Sequence, residues 1–251
     1  MRKLRDMGKV MGTLGSNHDQ FHEDHYVKAL FDRMSPTYGL MNLLSSFGFS
    51  ELWRRQCVGN AGVRSGSRVC DMMSGSGECW RYVLQRGGSL VSVDFSPVMS
   101  ERQRARNQKC GMGVGVRCEN ALETSLDDES IDCVVSAFGL KTLSRDGLAR
   151  FALEVRRILK PGGCFSLLEI STAEKWFLSP LYRWYMSAII PLIGKLCLAD
   201  IDCYRILGVY TASFGSCHRV APIFAAAGLQ VSVRHHFFGC ATSLVGTKPA
   251  R

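Results

Sequence analysis

Residues 68–77, RVCDMMSGSG, constrain what this chain can fold into more than any other stretch. An apolar run of strand type reaches Asp71, breaks into Met72-Met73-Ser74-Gly75-Ser76-Gly77, and gives way to a helical pattern over 78–87. Gly75 and Gly77 can take positive φ and let a ligand lie against bare backbone. A helix N-terminus behind such a loop offers N–H groups and a partial positive charge to an anionic group. A second acid, Asp94, ends the next apolar run, Leu90-Val91-Ser92-Val93. An acid about 20 residues beyond a glycine loop is the expected hydroxyl partner of a nucleoside's ribose. No G-x-G-x-x-G is present, so the dinucleotide fingerprint is not met. Taken alone, the loop leaves several nucleotide-binding α/β folds open.

The rest of the chain repeats the rhythm that this stretch begins. Strand-like runs at 67–72, 89–94, 113–118, 131–137 and 163–170 alternate with helical patterns near 78–87, 97–109 and 145–159. That is the alternation of a parallel sheet wound on both faces. Two last runs, 230–236 and 240–246, are joined too tightly for a crossover helix and must be antiparallel. The fold class expected is α/β: a doubly wound, mostly parallel seven-stranded sheet with N-terminal helices and a helical cap insertion over about 176–227. Residues 1–20 read as a flexible leader and 21–251 as a single domain, which 251 residues are enough to fill with one core. Ligands of such sheets lie beyond the C-terminal strand ends. Asp71, Asp94, Asn120, Phe138 and Glu169 all fall at that edge.

Composition narrows the classes of function. Eleven cysteines form no CxxC pair and are odd in number, which argues against a disulfide framework and a zinc site and for thiols kept reduced in a cytosol-like compartment. The net charge of +9 is spread along the chain. With no recognisable nucleic-acid module beside it, it reads as a generally basic surface and not as a nucleic-acid interface. The basic N-terminus lacks the apolar stretch of a secretory signal. Residues 176–199 are apolar, but Pro180, Arg183, Pro191 and Lys195 interrupt them, which disfavours a membrane span. A lid over the pocket, resting on a membrane surface, fits that stretch better.

Residues 31–55, FDRMSPTYGLMNLLSSFGFSELWRR, carry a more specific message. Phe31, Tyr38, Met41-Asn42, Ser46-Phe47-Gly48 and Trp53-Arg54 resemble, almost position by position, the N-terminal signature of the ubiquinone/menaquinone biosynthesis C-methyltransferase family. Gly39 departs from it, standing where the family usually has Asp. The resemblance continues through the glycine loop, where Ser74 replaces a usual glycine, and through Asn120-Ala121 and Ser136-Ala137-Phe138-Gly139-Leu140. It then takes in Leu159-Lys160-Pro161-Gly162-Gly163 and Leu168-Glu169, and ends near Gly246. It implies the class I methyltransferase fold and S-adenosyl-L-methionine (SAM) as cofactor. The implied contacts are Asp71, Gly75 and Gly77 for the methionine part, Asp94 for the ribose, and Asn120 with Ala121 for the adenine. Phe95 and Ser136 complete the candidate cofactor site. The plainer readings are a turn residue for Asp71 and a surface acid or helix cap for Asp94.

The same resemblance implies transfer of a methyl group to a ring carbon of a quinol-like or other apolar phenolic or enolic acceptor. Carbon methylation of such a ring needs the phenol deprotonated, by a nearby cation or by a base acting through water. The family ties an Arg-Asn pair to that step, whereas this chain has Lys141-Thr142. Lysine keeps the charge and loses the planar fork. Lys141, Glu169 and Tyr204 are therefore the candidate catalytic residues, Tyr204 through a segment similar to the family's Asp-x-x-x-Tyr. His235 and His236 are adjacent on a strand and point to opposite faces, so they cannot share a metal, and no metal is expected. The partner expected is a small apolar acceptor. A peripheral membrane contact and a homodimer are compatible with the sequence, as is a cytoplasmic location. Three other readings stay open: an O- or N-methyltransferase of a secondary metabolite, a SAM-binding protein recruited to other chemistry, and a lipid-surface module.

Overall fold

The computed structural model describes residues 27, 30, 32–34, 38–173, 176–190, 192–193 and 201–250, the side chains of 38, 183, 187 and 201–205 excepted. The leader expected over 1–20, and Phe31 of the N-terminal signature, lie outside the described residues. Seven strands form one sheet in the order β3-β2-β1-β4-β5-β7-β6. They are β1 (Arg68–Met72), β2 (Ser89–Asp94), β3 (Gly115–Cys118), β4 (Ile131–Ala137), β5 (Leu159–Ile170), β6 (Gln230–His236) and β7 (Ala241–Thr247). All pairings are parallel except those of β7, which runs antiparallel to both β5 and β6. The expected α/β class, a doubly wound and mostly parallel seven-stranded sheet, is the one found.

Helices α1 (Tyr38–Ser45), α2 (Phe49–Asn60), α3 (Trp80–Leu84), α4 (Pro97–Cys110) and α5 (Arg145–Ile158) occupy the first two thirds of the chain. Beyond β5 come α6 (Ser179–Trp184), which runs into a π turn at Tyr185–Ile189, α7 (Ile201–Phe214) and α8 (Cys217–Ala226). Strand alternation separates two cores. Met72, Val134, Phe165 and Leu244 face Phe151 and Val155 of α5 and Phe224 of α8. Val69 and Val135 face Val58 of α2 with Trp80 and Val83 of α3. Because both faces are covered, β1 reads as a nearly continuous buried run. In α5 the apolar positions Leu148, Phe151, Ala152, Val155 and Ile158 recur at helical spacing. Its N-cap, Ser144, accepts a hydrogen bond from Gly147 N at 3.0 Å.

Three boundaries differ from those expected, each for a local reason. The helix behind the glycine loop begins only at Trp80 and spans five residues, since residues 75–79 stay in turns. So short a helix adds little macrodipole to the loop. Strand β3 begins at Gly115 because Gly113 sits at φ 68, outside any strand conformation. Strand β5 starts four residues early, with a register shift against β4, and its irregular start is tied down by Gly162 N to Lys248 O and Lys248 N to Gly163 O, both 2.9 Å.

The helical insertion expected over about 176–227 divides into two parts. Helix α8 belongs to the core, where Cys217, Val220 and Phe224 are buried against the sheet with α5. Only the part before it caps the C-terminal sheet edge. There Tyr210 of α7 packs on Leu30 and Met34 of the N-terminal helical residues.

Candidate active site

Two concavities meet at the C-terminal ends of β1, β2, β4 and β5. The first is a cleft lined by Ser74 and Gly75 of the glycine loop, Asp94 and Phe95 after β2, and Asn120 and Ala121 after β3, with Arg54, Glu78 and Phe138. Five of the eight expected cofactor residues are thus on one wall. Asp94 is 6% exposed and holds the loop to β2: its Oδ2 accepts Gly75 N at 2.8 Å and its Oδ1 accepts Ser96 N at 3.0 Å. Burial pushes its carboxyl up to about 6, against the two amide bonds that pull the other way. A carboxylate offers about four lone-pair sites, so these two bonds leave acceptor capacity for ribose hydroxyls. The N-cap of α4 is not Asp94 but Ser96, whose Oγ accepts Met99 N at 3.1 Å. Asn120 Oδ1 accepts Leu122 N at 3.0 Å, which shapes the turn that presents it.

The other three expected residues are not on that wall. Gly77 at φ 80 is required by its own neighbour, because a Cβ there would lie 2.5 Å from the indole of Trp80. Ser136 is buried, and its Oγ has no hydrogen-bond partner. Asp71 is 1% exposed beneath the wall, and neither carboxylate oxygen has a partner. Burial raises its pKa well above the usual range, the negative charges of Glu78 and Asp94 add to the rise, and Arg54 opposes it. Glu78 Oε1 is likewise buried without a partner. A nucleoside bearing a cationic amino-acid end fits these residues: acceptors for the ribose along β2, and unpartnered carboxylate oxygens near the loop for an ammonium group.

The second concavity is an apolar cavity of about 530 Å³. Phe49 and Trp53 of α2, Trp176, Tyr182 and Tyr185 before and within the cap, and Phe237 after β6 are the aromatic residues around it, with Phe47, Phe138 and Trp184. Tyr182 Oη donates to Cys240 O at 3.2 Å and Tyr185 Oη to Ser45 O at 2.8 Å, so both rings are held in place. Among the described residues of that lining, Lys141 is the one that is charged. Its Nζ donates to Glu169 Oε1 at 2.8 Å and to Phe138 O at 2.7 Å, and its backbone N donates to Glu169 Oε2 at 3.1 Å. Glu169 is fully buried behind it. Tyr204 lies in α7, but its side chain falls outside the described residues.

Phe138 belongs to the walls of both the cleft and the cavity. It sits at φ 71, a strained conformation for an aromatic residue, with Arg54 over its ring at 5.1 Å from the centroid. Arg54 is buried and paired with Glu51 at 2.6 Å. Sequence reasoning placed Phe138 at the sheet edge but gave it no role, and it assigned nothing to Arg54 or Glu78. The Trp-Arg of the N-terminal signature was the available signal for Arg54. The histidines do not join the site. His235 Nε2 lies 3.0 Å from His218 Nε2, while His236 bonds Gln56 and Ser243 at 2.8 Å each.

Sheet order, cleft position and paired concavities define the class I SAM-dependent methyltransferase fold. Solved structures of that class superpose on the chain. A SAM-dependent methyltransferase from Aquifex aeolicus does so with a TM-score of 0.56 at 18% identity, covering 78% of this chain and 89% of that one. Another from Thermotoga maritima gives 0.59 at 20% identity, covering 88% and 98%. The chain belongs to the ubiE/COQ5 methyltransferase family, whose sequence model matches residues 19–248. It is 32% identical over 234 residues to the demethylmenaquinone methyltransferase of Lactiplantibacillus plantarum, covering 90% of this chain and 98% of that protein. It is 31% identical over 234 residues to the ubiquinone/menaquinone biosynthesis C-methyltransferase UbiE of Rubrivivax gelatinosus, covering 92% and 90%. The protein is a methyltransferase.

Proposed function

We propose that the enzyme transfers a methyl group from SAM to a ring carbon of an apolar, quinol-like acceptor seated in the cavity. The observation that carries this reading is the shared wall at Phe138, across which a donor in the cleft and an acceptor in the cavity can face each other. The relatives' names, demethylmenaquinone methyltransferase and C-methyltransferase, support the acceptor class. When bound, SAM supplies a methyl already activated by its sulfonium. The chain's residues bind it, exclude water and hold the nucleophile in line. Gly75, Asp94, Phe95, Asn120 and Ala121 bind the cofactor, and Asp71 with Ser136 underlies that site. Of the three donors of the Lys141 ammonium, Glu169 and Phe138 O take two. The third is left for the acceptor oxygen, where a cation favours the phenolate that directs charge to the ring carbon. Glu169 positions Lys141 and balances its charge, and Tyr204 is assigned to the acceptor side.

A membrane surface is the route by which such an acceptor arrives. Phe47, Leu181, Trp184 and Phe237 line the cavity and yet are also exposed to solvent, Phe47 to 76%. No helix among the described residues is long and apolar enough to cross a bilayer, so the contact is peripheral. The deciding experiment incubates purified protein with methyl-labelled SAM and a panel of demethyl quinols and simple phenols, and locates the label by NMR. A new carbon-bound methyl on quinols is expected. A methyl on oxygen or nitrogen would replace this reading with heteroatom transfer, and SAM binding without turnover on any acceptor would remove it.

A further inference from the structure

His218 and His235 line neither the cleft nor the cavity, yet the fold brings them together. On β6, Val231 and Val233 pack on the core that α8 completes with Val220 and Phe224. His235 follows those two valines at the same spacing of two, so it points to the α8 side of the sheet. His218 stands in the first turn of α8, one residue after the buried Cys217. The two imidazoles thus converge from a strand and a helix packed on each other. Their Nε2 atoms are 3.0 Å apart, the ring centroids 5.1 Å, and both residues are exposed. A hydrogen bond can bridge the two nitrogens only with one ring donating and the other accepting. Between exposed groups that competes with water, and its net contribution is small.

We propose that His218 and His235 form a chelating site for a divalent transition-metal ion of the nickel or copper class. Neutral imidazole suits these ions, and both Nε2 lone pairs are available when each ring carries its proton on Nδ1. With metal–nitrogen bonds of about 2.0–2.1 Å, nitrogens 3.0 Å apart subtend roughly 90–100° at the metal. That is the angle between neighbouring ligands in square-planar and octahedral sites, and it falls short of the tetrahedral angle of about 109° that zinc takes. No third His, Cys, Asp or Glu among the described residues joins the pair, so water fills the remaining positions. Magnesium and calcium, which need oxygen ligands, find no carboxylate here. Because one ligand stands on a strand and the other on a helix, little ordering is left for binding to impose. The bound ion staples the start of α8 to the end of β6, just before the Phe237-Phe238 turn. His235 and His236 diverge on the strand, and the ligand partner of His235 lies 17 residues earlier in the chain.

Calorimetric titration of the full chain with NiCl₂, in parallel with His218→Gln and His235→Gln, tests the site. His18, His22 and His25 can also take nickel, so the reading is the difference between the native chain and the two variants. Each variant is expected to lose one Ni²⁺ equivalent, or to bind it about tenfold or more weakly for want of one ligand. The thermal midpoint should rise with NiCl₂ in the native chain and rise less in both variants, because an ion held between α8 and β6 binds the folded state. MgCl₂ should give neither effect. Both side chains are exposed, so both variants are expected to fold; if one does not, the other decides. Unchanged stoichiometry and affinity in the variants would assign nickel to other residues and overturn the proposal. So would a loss in one folded variant and not in the other, since a chelate needs both rings, or an equal response to MgCl₂.

Discussion

Lys141 and Glu169 form a buried pair at the junction of cleft and cavity, and breaking it from one side has consequences for both folding and chemistry. Lys141→Met leaves the Glu169 carboxylate uncompensated, at a cost of about 3–5 kcal/mol by the general behaviour of buried pairs. That loss would show in denaturation and would confuse any activity measurement. Lys141→Met combined with Glu169→Gln restores charge balance, so its expected outcome, near-native stability with strongly reduced kcat and little change in SAM affinity, isolates the role of the cation. A fully active double variant would take Lys141 out of the reaction. Lys141→Arg with Thr142→Asn tests whether the family's Arg-Asn pair suits this pocket, by comparing demethyl quinols with other phenols. At Asp94 the expected loss on Asp94→Ala is about 1.5–3 kcal/mol of SAM binding, roughly 10- to 150-fold. Its carboxyl titrates near 6 in the folded protein, above its ordinary value. The group thus favours folding at low pH and disfavours it as it ionises through that region, while ribose hydroxyls favour the ionised form. SAM affinity should step down as pH falls through about 6, and the step should vanish in Asp94→Asn. An unchanged step in that variant would assign it to another group. Asp94 was legible in the sequence because its position after a strand sets its place at the sheet edge. The place of Phe138 at that edge was legible too, but its role was not, because its φ of 71 and its place in two walls depend on its neighbours in space.

Among the elements, the turn from β1 to α3 shows how two glycines of similar appearance differ. At Gly75 (φ 57) a Cβ would meet only Glu78 Oε2, at 3.5 Å. At Gly77 (φ 80) it would lie 2.5 Å from the Trp80 ring. Gly75→Ala should therefore cost the conformational term alone, about 1–2 kcal/mol. Gly77→Ala adds an overpacking term of about 1–3 kcal/mol. Chemical denaturation of the two variants checks this, and equal losses would mean that Trp80 moves aside freely. Most strands and helix α5 were legible because burial on one face or both leaves a periodic trace, whereas α4 carries no apolar stripe and is marked instead by Ser96-Pro97 at its start. The short α3 and the start of β5 were not, since tertiary bonds set both, such as those of Gly162 and Gly163 to Lys248.

On the scale of the whole molecule, residues far apart in the chain build one apolar mouth. Phe47 and Tyr185 lie with ring centroids 5.8 Å apart, and Trp176 stacks on Phe238 at 5.4 Å. Phe177 and Phe238 stand exposed to 84% and 68% beside that mouth. An exposed aromatic rim around an apolar cavity, on a chain of net charge +9, suits an anionic lipid surface. The enzyme is expected to co-sediment with vesicles of phosphatidylglycerol mixed with phosphatidylcholine, and less so at high salt. Phe47→Ser with Trp184→Ser and Phe238→Ser should lose most of that binding and keep native SAM affinity. Undiminished binding by the triple variant would place the contact elsewhere on the molecule.

The sequence by itself determined the sheet, the location of the cleft and the family. Strand and helix periodicity follows from burial of one face, and a glycine loop followed by an acid marks the edge where β1 and β2 end. Tertiary structure alone decided which residues share a wall. It set Lys141 against Glu169, placed Arg54 over Phe138 and left Asp71 without a donor. It also divided the helices after β5 between cap and core. The physical reason is that pairing, strain and desolvation are properties of neighbours in space. Residues 54, 71, 138 and 169 become neighbours only when four separate elements converge on the same end of the sheet.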